Sequence, residues 1–386
     1  MIITSQNDLE KACRALAQQP FITIDTEFLR EKTYYPKLCL IQLSDPSKNA
    51  LAVDPQAKQL DLEPVFDLLR NKSVLKVFHA ARQDLEIFYN LTGEVVRPFF
   101  DTQIAAMVLG YGDSVGYENI VRNITGHQID KSSQYTDWSV RPLSERQIKY
   151  ALGDVTHLCD VYLKMAEELK SQNRISWVFE EEELLAAPAT YQNNPQDMWQ
   201  KIKIKSPKPK NLAVLRELAA WRELRAQEKN IPRSWVMRDE TLADMASQCP
   251  QTHDDLKKIR NISGEYLREE RAKQLLGLIH NALKTPKQDC PSVVKKHPLS
   301  PSVSAKVDIL KMLLKIKAAE YGVAAKLIAS SDDIEQIALQ QSEDIPALKG
   351  WRAEVFGDDA LALIRGELAI GLKNNTITKF SLKADA

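Results

Sequence analysis

The chain of 386 residues reads as an α/β domain followed by two all-helical modules. Three patterns carry that reading. Residues 1–170 alternate short apolar, β-branched runs with stretches of helical period, the mark of strands and helices in turn. Residues 211–284 keep apolar side chains at three- and four-residue spacing, with no strand-like run between them. Sliding the chain on itself by 92 positions lays residues 231–246 over 323–338 with their apolar positions in step, so the helical unit occurs twice.

Taken in order, residues 21–24, 38–43, 50–53 and 74–78 read as strands, and 84–91, 101–110 and 144–169 as helices. The stretch from Ser44 to Asn49, with Asp45, Pro46 and Ser47, is turn chemistry, so the second and third strands should form a hairpin and the sheet should be mixed. Ser144 stands where an N-cap belongs, its hydroxyl ready for the orphan N–H groups of the long helix. A connecting segment, 171–210, carries Pro188 and Pro195 and then the alternation Lys201, Ile202, Lys203, Ile204, Lys205. Helices over 212–225, 238–247, 253–258 and 265–283 build the first module, in whose core Trp221 and Trp235 are expected. Pro286, Pro291, Pro298 and Pro301 mark a linker over 285–304. Residues 305–375 read as helical again and 376–386 as a frayed tail.

Composition excludes several classes. With 44% hydrophobic and 27% charged residues the chain is an ordinary globular protein with material for cores. No basic leader precedes an apolar stretch, and no run of about 18 apolar residues occurs, so a cytoplasmic protein without membrane contact is expected. Cys13, Cys39, Cys159, Cys249 and Cys290 are scattered without Cys-x-x-Cys spacing, which argues against a zinc site or a disulfide framework. The net charge is zero, yet it is unevenly placed, at −4 over residues 1–170 and +8 over 195–300. That asymmetry points to a phosphate-facing surface in the middle of the chain.

The chemistry sits in the acidic half. Asp25 and Glu27 follow the apolar residues 21–24, and because side chains alternate along a strand they share one face while Thr26 points to the other. Asp84 opens a helix. Tyr150 and Asp154 lie one turn apart on a helix face that can look toward the strand. Four carboxylates converging from distant segments raise each other's pKa and need a cation, and an oxygen-only donor set suits Mg²⁺ or Mn²⁺. Two such ions would serve in-line displacement at phosphorus, with the Tyr150 hydroxyl placed to orient the attacking water.

Asp25-Thr26-Glu27, Asp84 and Tyr150-x-x-x-Asp154 resemble the exonuclease motifs of the DEDD superfamily in its tyrosine-bearing branch. Leu40-Ile41-Gln42-Leu43, Phe78-His79-Ala80 and Asp137-Trp138-Ser139-Val140-Arg141-Pro142-Leu143 are similar to the ribonuclease D family, and Trp221-Arg222 with Val236-Met237-Arg238-Asp239 to the start of an HRDC domain. The second module departs from that pattern, with Ala318-Ala319-Glu320 read as standing where Trp221, Arg222 and their neighbours stand in the first.

The resemblance implies a mixed, ribonuclease H-like sheet flanked by helices, followed by two HRDC-type domains. It implies 3′–5′ hydrolysis of RNA to nucleoside 5′-monophosphates, with tRNA precursors and other 3′-extended RNAs as substrates and no obligate protein partner for a monomer. Two divalent ions, Mg²⁺ or Mn²⁺, would be held by Asp25, Glu27, Asp84 and Asp154, with Asp25 bridging and Tyr150 orienting the nucleophile. Thr26, Phe28 and His79 beside the acidic motifs, Trp138 and Arg141 ahead of the Tyr150 helix, and Lys201, Lys203 and Lys205 are candidate RNA contacts. The alternatives are an exonuclease acting on DNA and a binding scaffold without activity.

Overall fold

The computed structural model describes residues 1–292, 298–340, 342 and 344–382; residues 293–297 of the expected linker and 383–386 of the expected tail lie outside the described residues. Six strands form one sheet: β1 (Ile2–Ile3), β2 (Phe21–Leu29), β3 (Lys37–Ser44), β4 (Ala50–Val53), β5 (Leu75–Phe78) and β6 (Phe99–Asp101), in the order β1-β4-β3-β2-β5-β6. β3 runs antiparallel to β2 and β4, while β5 is parallel to β2 and β6, so the sheet is mixed and 38–53 is a hairpin. Alternation along β2 divides two cores. Ile22 and Ile24 face helices α1 (Gln6–Leu16), α2 (Glu63–Arg70) and α3 (Arg82–Thr92). Phe21 faces α4 (Thr102–Val108), α5 (Tyr117–Thr125) and α6 (Glu145–Ser171).

β2 is longer than its apolar run suggests. It continues to Leu29, so Asp25 and Glu27 lie within the strand, and a bulge follows at Glu27/Phe28. Pairing with β3 holds this polar half in place, whereas β5 pairs only with Phe21, Ile22 and Thr23. The buried Thr23 hydroxyl donates to the Val155 carbonyl of α6 at 2.7 Å and thereby fixes the long helix across the sheet. Ser144 caps α6 in a full capping box with Gln147.

The 92-residue repeat is physical. α8 (Pro209–Lys229), α9 (Arg233–Val236) and α10 (Asp239–Gln248), which α11 (His253–Lys257) and α12 (Glu269–Lys284) follow, recur as α13 (Pro301–Tyr321), α14 (Ala325–Ile328) and α15 (Ser331–Leu339). At that offset Trp221 and Arg222 correspond to Leu313 and Leu314, not to Ala318-Ala319-Glu320, and both leucines are buried in the second module's core. Three further readings are corrected. Helix α13 begins at Pro301, within the expected linker, because Pro is tolerated in a first turn where its missing N–H is no loss. The connecting segment holds a helix, α7 (Ile175–Ala186), that packs on the nuclease half. The chain is not helical to 375 with a frayed tail: Leu368–Lys373 and Thr376–Ser381 pair as an antiparallel hairpin around Asn374 and Asn375, both in the left-handed region.

Each module meets the nuclease half differently. The Tyr34 hydroxyl donates to Glu223 of α8, and Asn230 Oδ1 accepts from the backbone N–H groups of Tyr34 and Tyr35 at 3.1 and 3.0 Å. In the second module Trp351 stacks on Trp177 of α7 with centroids 4.6 Å apart, its Nε1 donates to Glu181 at 3.0 Å, and Arg352 pairs with the same carboxylate. Gly110 (φ 77°) sits against the Gly322 carbonyl so closely that a Cβ would collide with it. Among the described residues no helix is long and apolar enough to cross a membrane.

Candidate active site

Asp25 and Glu27 project from β2 toward α6, whose first third presents Tyr150 and Asp154. Carboxylate oxygens of Asp25, Glu27 and Asp154 lie within 4.8 Å of one another. The fourth carboxylate comes from the other side of the sheet. Asp84 occupies the first turn of α3, where the helix dipole favours a negative charge, and Thr26, facing away from Asp25 as the alternation requires, donates its hydroxyl to it. Asp84 is thus held just outside the group of three but within electrostatic reach of Asp25.

The energetic state of this cluster follows from its burial. Asp25 is raised to about 6 by burial, against the Thr26 N–H that stabilises its anion. Glu27 is pushed up to about 10 by burial and then by Asp25, Asp154 and Asp84. Asp84 and Asp154 are raised well above the usual carboxylate range by burial and by Asp25. Tyr150 is raised by burial and the surrounding carboxylates, so its hydroxyl keeps its proton beside Asp154. Protons or cations must neutralise such a group, and its all-oxygen donor set fits hard divalent ions.

Neighbours fix these groups. The Tyr117 hydroxyl donates to the Asp154 carbonyl, and the His79 ring lies 5.1 Å from the Tyr117 ring. His79 Nδ1 meets Thr102 Oγ1 at 2.9 Å, and since Thr102 donates its own proton to the Phe78 carbonyl at 3.0 Å, Nδ1 is the donor. The buried Asp101 carboxylate accepts from the Ala80 and Ala81 N–H groups, holding Ala80 at φ 57° ahead of α3. Sequence reasoning assigned no role to Tyr117, Asp101 or Gln42, the last of which lies inside the Leu40-Ile41-Gln42-Leu43 motif. Gln42 pairs with Asp25 across β2 and β3 and is fully buried, with neither amide atom hydrogen bonded among the described residues. An amide in the middle of an apolar strand was the signal for it.

Other expected contacts sort differently. Thr26 is 5% exposed and its hydroxyl is engaged by Asp84, so that hydroxyl is not free to meet RNA. Trp138 is 2% exposed, in a core with Leu40 and Ala151, and has no face to offer a base. Arg141 has no free donor. Its Nε and Nη2 bond Asp54 at 2.6 and 2.8 Å, its other Nη2 hydrogen bonds the Cys39 carbonyl, and Nη1 bonds the Trp138 and Val140 carbonyls. The expected phosphate clamp is therefore a structural tie between the loop and β4. Phe28 is half-buried beyond the bulge, while Lys201, Lys203 and Lys205 are exposed, with Ile202 between them turned inward.

The 3′–5′ exonuclease family matches residues 1–170, and the HRDC domain family matches residues 211–279. Ribonuclease D of Bartonella henselae is 45% identical over 377 residues, covering 97% of this chain and 93% of its own. The chain belongs to the ribonuclease D family. Ribonuclease D of Sphingobium indicum is 46% identical over 378 residues, covering 97% of each chain. The crystal structure of Escherichia coli RNase D, an exoribonuclease involved in structured RNA processing, superposes with a TM-score of 0.82 at 30% identity, covering 95% of this chain and 98% of that one. As a ribonuclease D, the protein is a 3′–5′ exoribonuclease with a nuclease domain and a helical, HRDC-containing C-terminal region.

Proposed function

We propose that this ribonuclease D removes nucleotides one at a time from the 3′ ends of tRNA precursors and other 3′-extended RNAs, releasing nucleoside 5′-monophosphates, with two Mg²⁺ or Mn²⁺ ions. The observation that carries this is the convergence of Asp25, Glu27 and Asp154 within 4.8 Å, with Asp84 alongside. In this reading Asp25, Glu27 and Asp154, with Asp84 alongside, would hold the ions. The ions would supply charge neutralisation at the phosphodiester and a lowered pKa for the attacking water. Tyr150, protonated, directs its hydroxyl at that water, while Thr26 and Tyr117 keep Asp84 and the Asp154 backbone from shifting.

Separate hydrophobic clusters support a catalytic unit that takes in α7 and reaches Tyr191, a first helical unit from Met198 to Leu283 and a second from Leu299 onward. A monomer acting in the cytoplasm belongs to the same reading. The five free cysteines agree with a reducing compartment.

The test is a time course on a 5′-labelled, 3′-extended tRNA and its all-DNA counterpart, with Mg²⁺ and with excess EDTA. Stepwise shortening of the RNA that EDTA stops is expected. Equal shortening of the DNA would make the protein a general exonuclease, and shortening of neither a binding scaffold. Asp25→Asn should abolish hydrolysis with the circular dichroism unchanged; full activity in that variant would remove its metal-holding role.

A further inference from the structure

The side of the sheet that faces α6 is polar in its middle. Directly opposed residues of paired strands share a face, so Thr23 and Ser44 point the same way, as do Asp25 and Gln42, and Ala52 of β4 flanks Gln42 on its other side. Ala52 packs with Ala151 of α6, so this is the face that carries the acidic cluster. Two of its buried polar groups are satisfied. Thr23 donates to the Val155 carbonyl at 2.7 Å and Ser44 to the Asp45 carbonyl at 3.3 Å. Gln42 is not satisfied. It is fully buried, and among the described residues it is the one side chain that leaves two buried polar atoms, Oε1 and Nε2, without a partner.

A buried amide without partners is costly, and an apolar side chain of the same shape avoids that cost. Its neighbour distinguishes the position. Opposed residues on antiparallel strands hold their Cβ atoms about 4.5–5.5 Å apart, a span that a glutamine amide and an aspartate carboxylate can bridge. An ionised carboxylate offers about four lone-pair sites. The Thr26 N–H takes one at Asp25, and the direction of Glu27 and Asp154 takes others, which leaves room for a second donor.

The charge of that donor matters. A lysine or arginine at position 42 would neutralise the acids itself and compete with a cation for them. An amide donates without adding charge, so the cluster keeps its attraction for a divalent ion. Carboxylates that ligate metals are themselves commonly held by such outer hydrogen bonds.

We propose that Gln42 is a positioning residue of the metal site, its Nε2–H donating to the Asp25 carboxylate and orienting it toward a divalent cation shared with Glu27 and Asp154. The proposal rests on the metal-dependent exoribonuclease reading above. It also accounts for the unpaired amide, which weakens the sheet without a cation and strengthens the site with one.

Gln42→Met tests this, since it keeps the length of the side chain and deletes both polar atoms. In EDTA the variant should melt no lower than the unsubstituted protein. Mn²⁺ should raise its melting temperature less, and the Mn²⁺ concentration for half-saturation, read by titration calorimetry, should rise tenfold or more. On a 3′-extended RNA at fixed, subsaturating Mn²⁺, kcat should fall with KM unchanged. Ser44→Ala, which removes a hydroxyl from the same face two positions along, should leave the Mn²⁺ half-saturation unchanged. A lower melting temperature of Gln42→Met in EDTA, an unchanged Mn²⁺ half-saturation in that variant, or an equal rise in Ser44→Ala would each overturn the role of Gln42 alone. An unsubstituted protein that binds no Mn²⁺ and shortens no RNA would overturn the metal-dependent reading, and the proposal with it.

Discussion

The two helical modules share a frame and differ in what they do with their surfaces. Helix for helix they superimpose in sequence at 92 residues, yet Trp235 of the first is exposed, whereas its counterpart Leu327 packs against both the second module's core and the nuclease core. The backbone N–H of Ala324, at the start of α14, donates to the Met107 carbonyl at 2.9 Å, and Arg352 Nε donates to the Leu327 carbonyl at 2.8 Å. One copy keeps its short second helix open to solvent and the other has turned it into a docking face. A repeated fold therefore does not imply a repeated role; substitution of a few surface residues decides which copy stays open to solvent and which faces the protein.

The joints follow the same division. The second module is held by stacked tryptophans over a buried ion pair, and the first by a polar hub around Tyr34. Trp351→Ala should therefore cost about 3–5 kcal/mol in chemical denaturation, since it removes a ring that is 3% exposed and deprives Glu181 of a donor. A cost below about 1 kcal/mol would erase the contrast. Tyr34→Phe removes a hydroxyl that donates to the fully buried Glu223 and accepts from Gln227, Asn193 and Arg233 at 3.1, 3.2 and 3.1 Å. Its expected cost is smaller, about 1–3 kcal/mol, and hydrogen exchange should place the loosening in α8 and not in α13.

The smallest effect separates both modules from the catalytic face. Asp25 is raised from its ordinary carboxylate value to about 6, so its contribution is complete below the unfolded-state pKa and is lost as pH rises through about 6. In EDTA the melting temperature should thus fall by a few degrees between pH 5 and pH 7.5, more than it does in Asp25→Asn, and Mg²⁺ should restore it more at pH 7.5 than at pH 5. Identical pH profiles for the two proteins in EDTA would mean that the acidic cluster carries no such strain.

The acidic residues were legible because alternation in a strand and the turn of a helix are local rules: Asp25, Glu27, Tyr150 and Asp154 meet as their spacing requires. The repeat was legible for the same reason. Arg141 and Trp138 were not, since whether a guanidinium meets a phosphate or Asp54 depends on a partner 87 residues away in the chain. Trp235 was misplaced because helical period gives a face but not what covers it. The final hairpin was missed although Asn374-Asn375 is turn chemistry, because Leu368, Ile370 and Leu372 also suit a helix end.

Tyr34 bears on how the protein can be cut. Its ring lies 4.9 Å from the Arg233 guanidinium and packs beside the first module's core, on a segment that leaves directly from β2. A nuclease fragment ending near residue 170 would uncover that ring with its neighbour Tyr35 on one exposed segment, and would remove the acceptors that hold it. Solubility, more than catalytic chemistry, would then fail first on truncation, and a fragment that retains the whole first module would stay in solution where the shorter one precipitates.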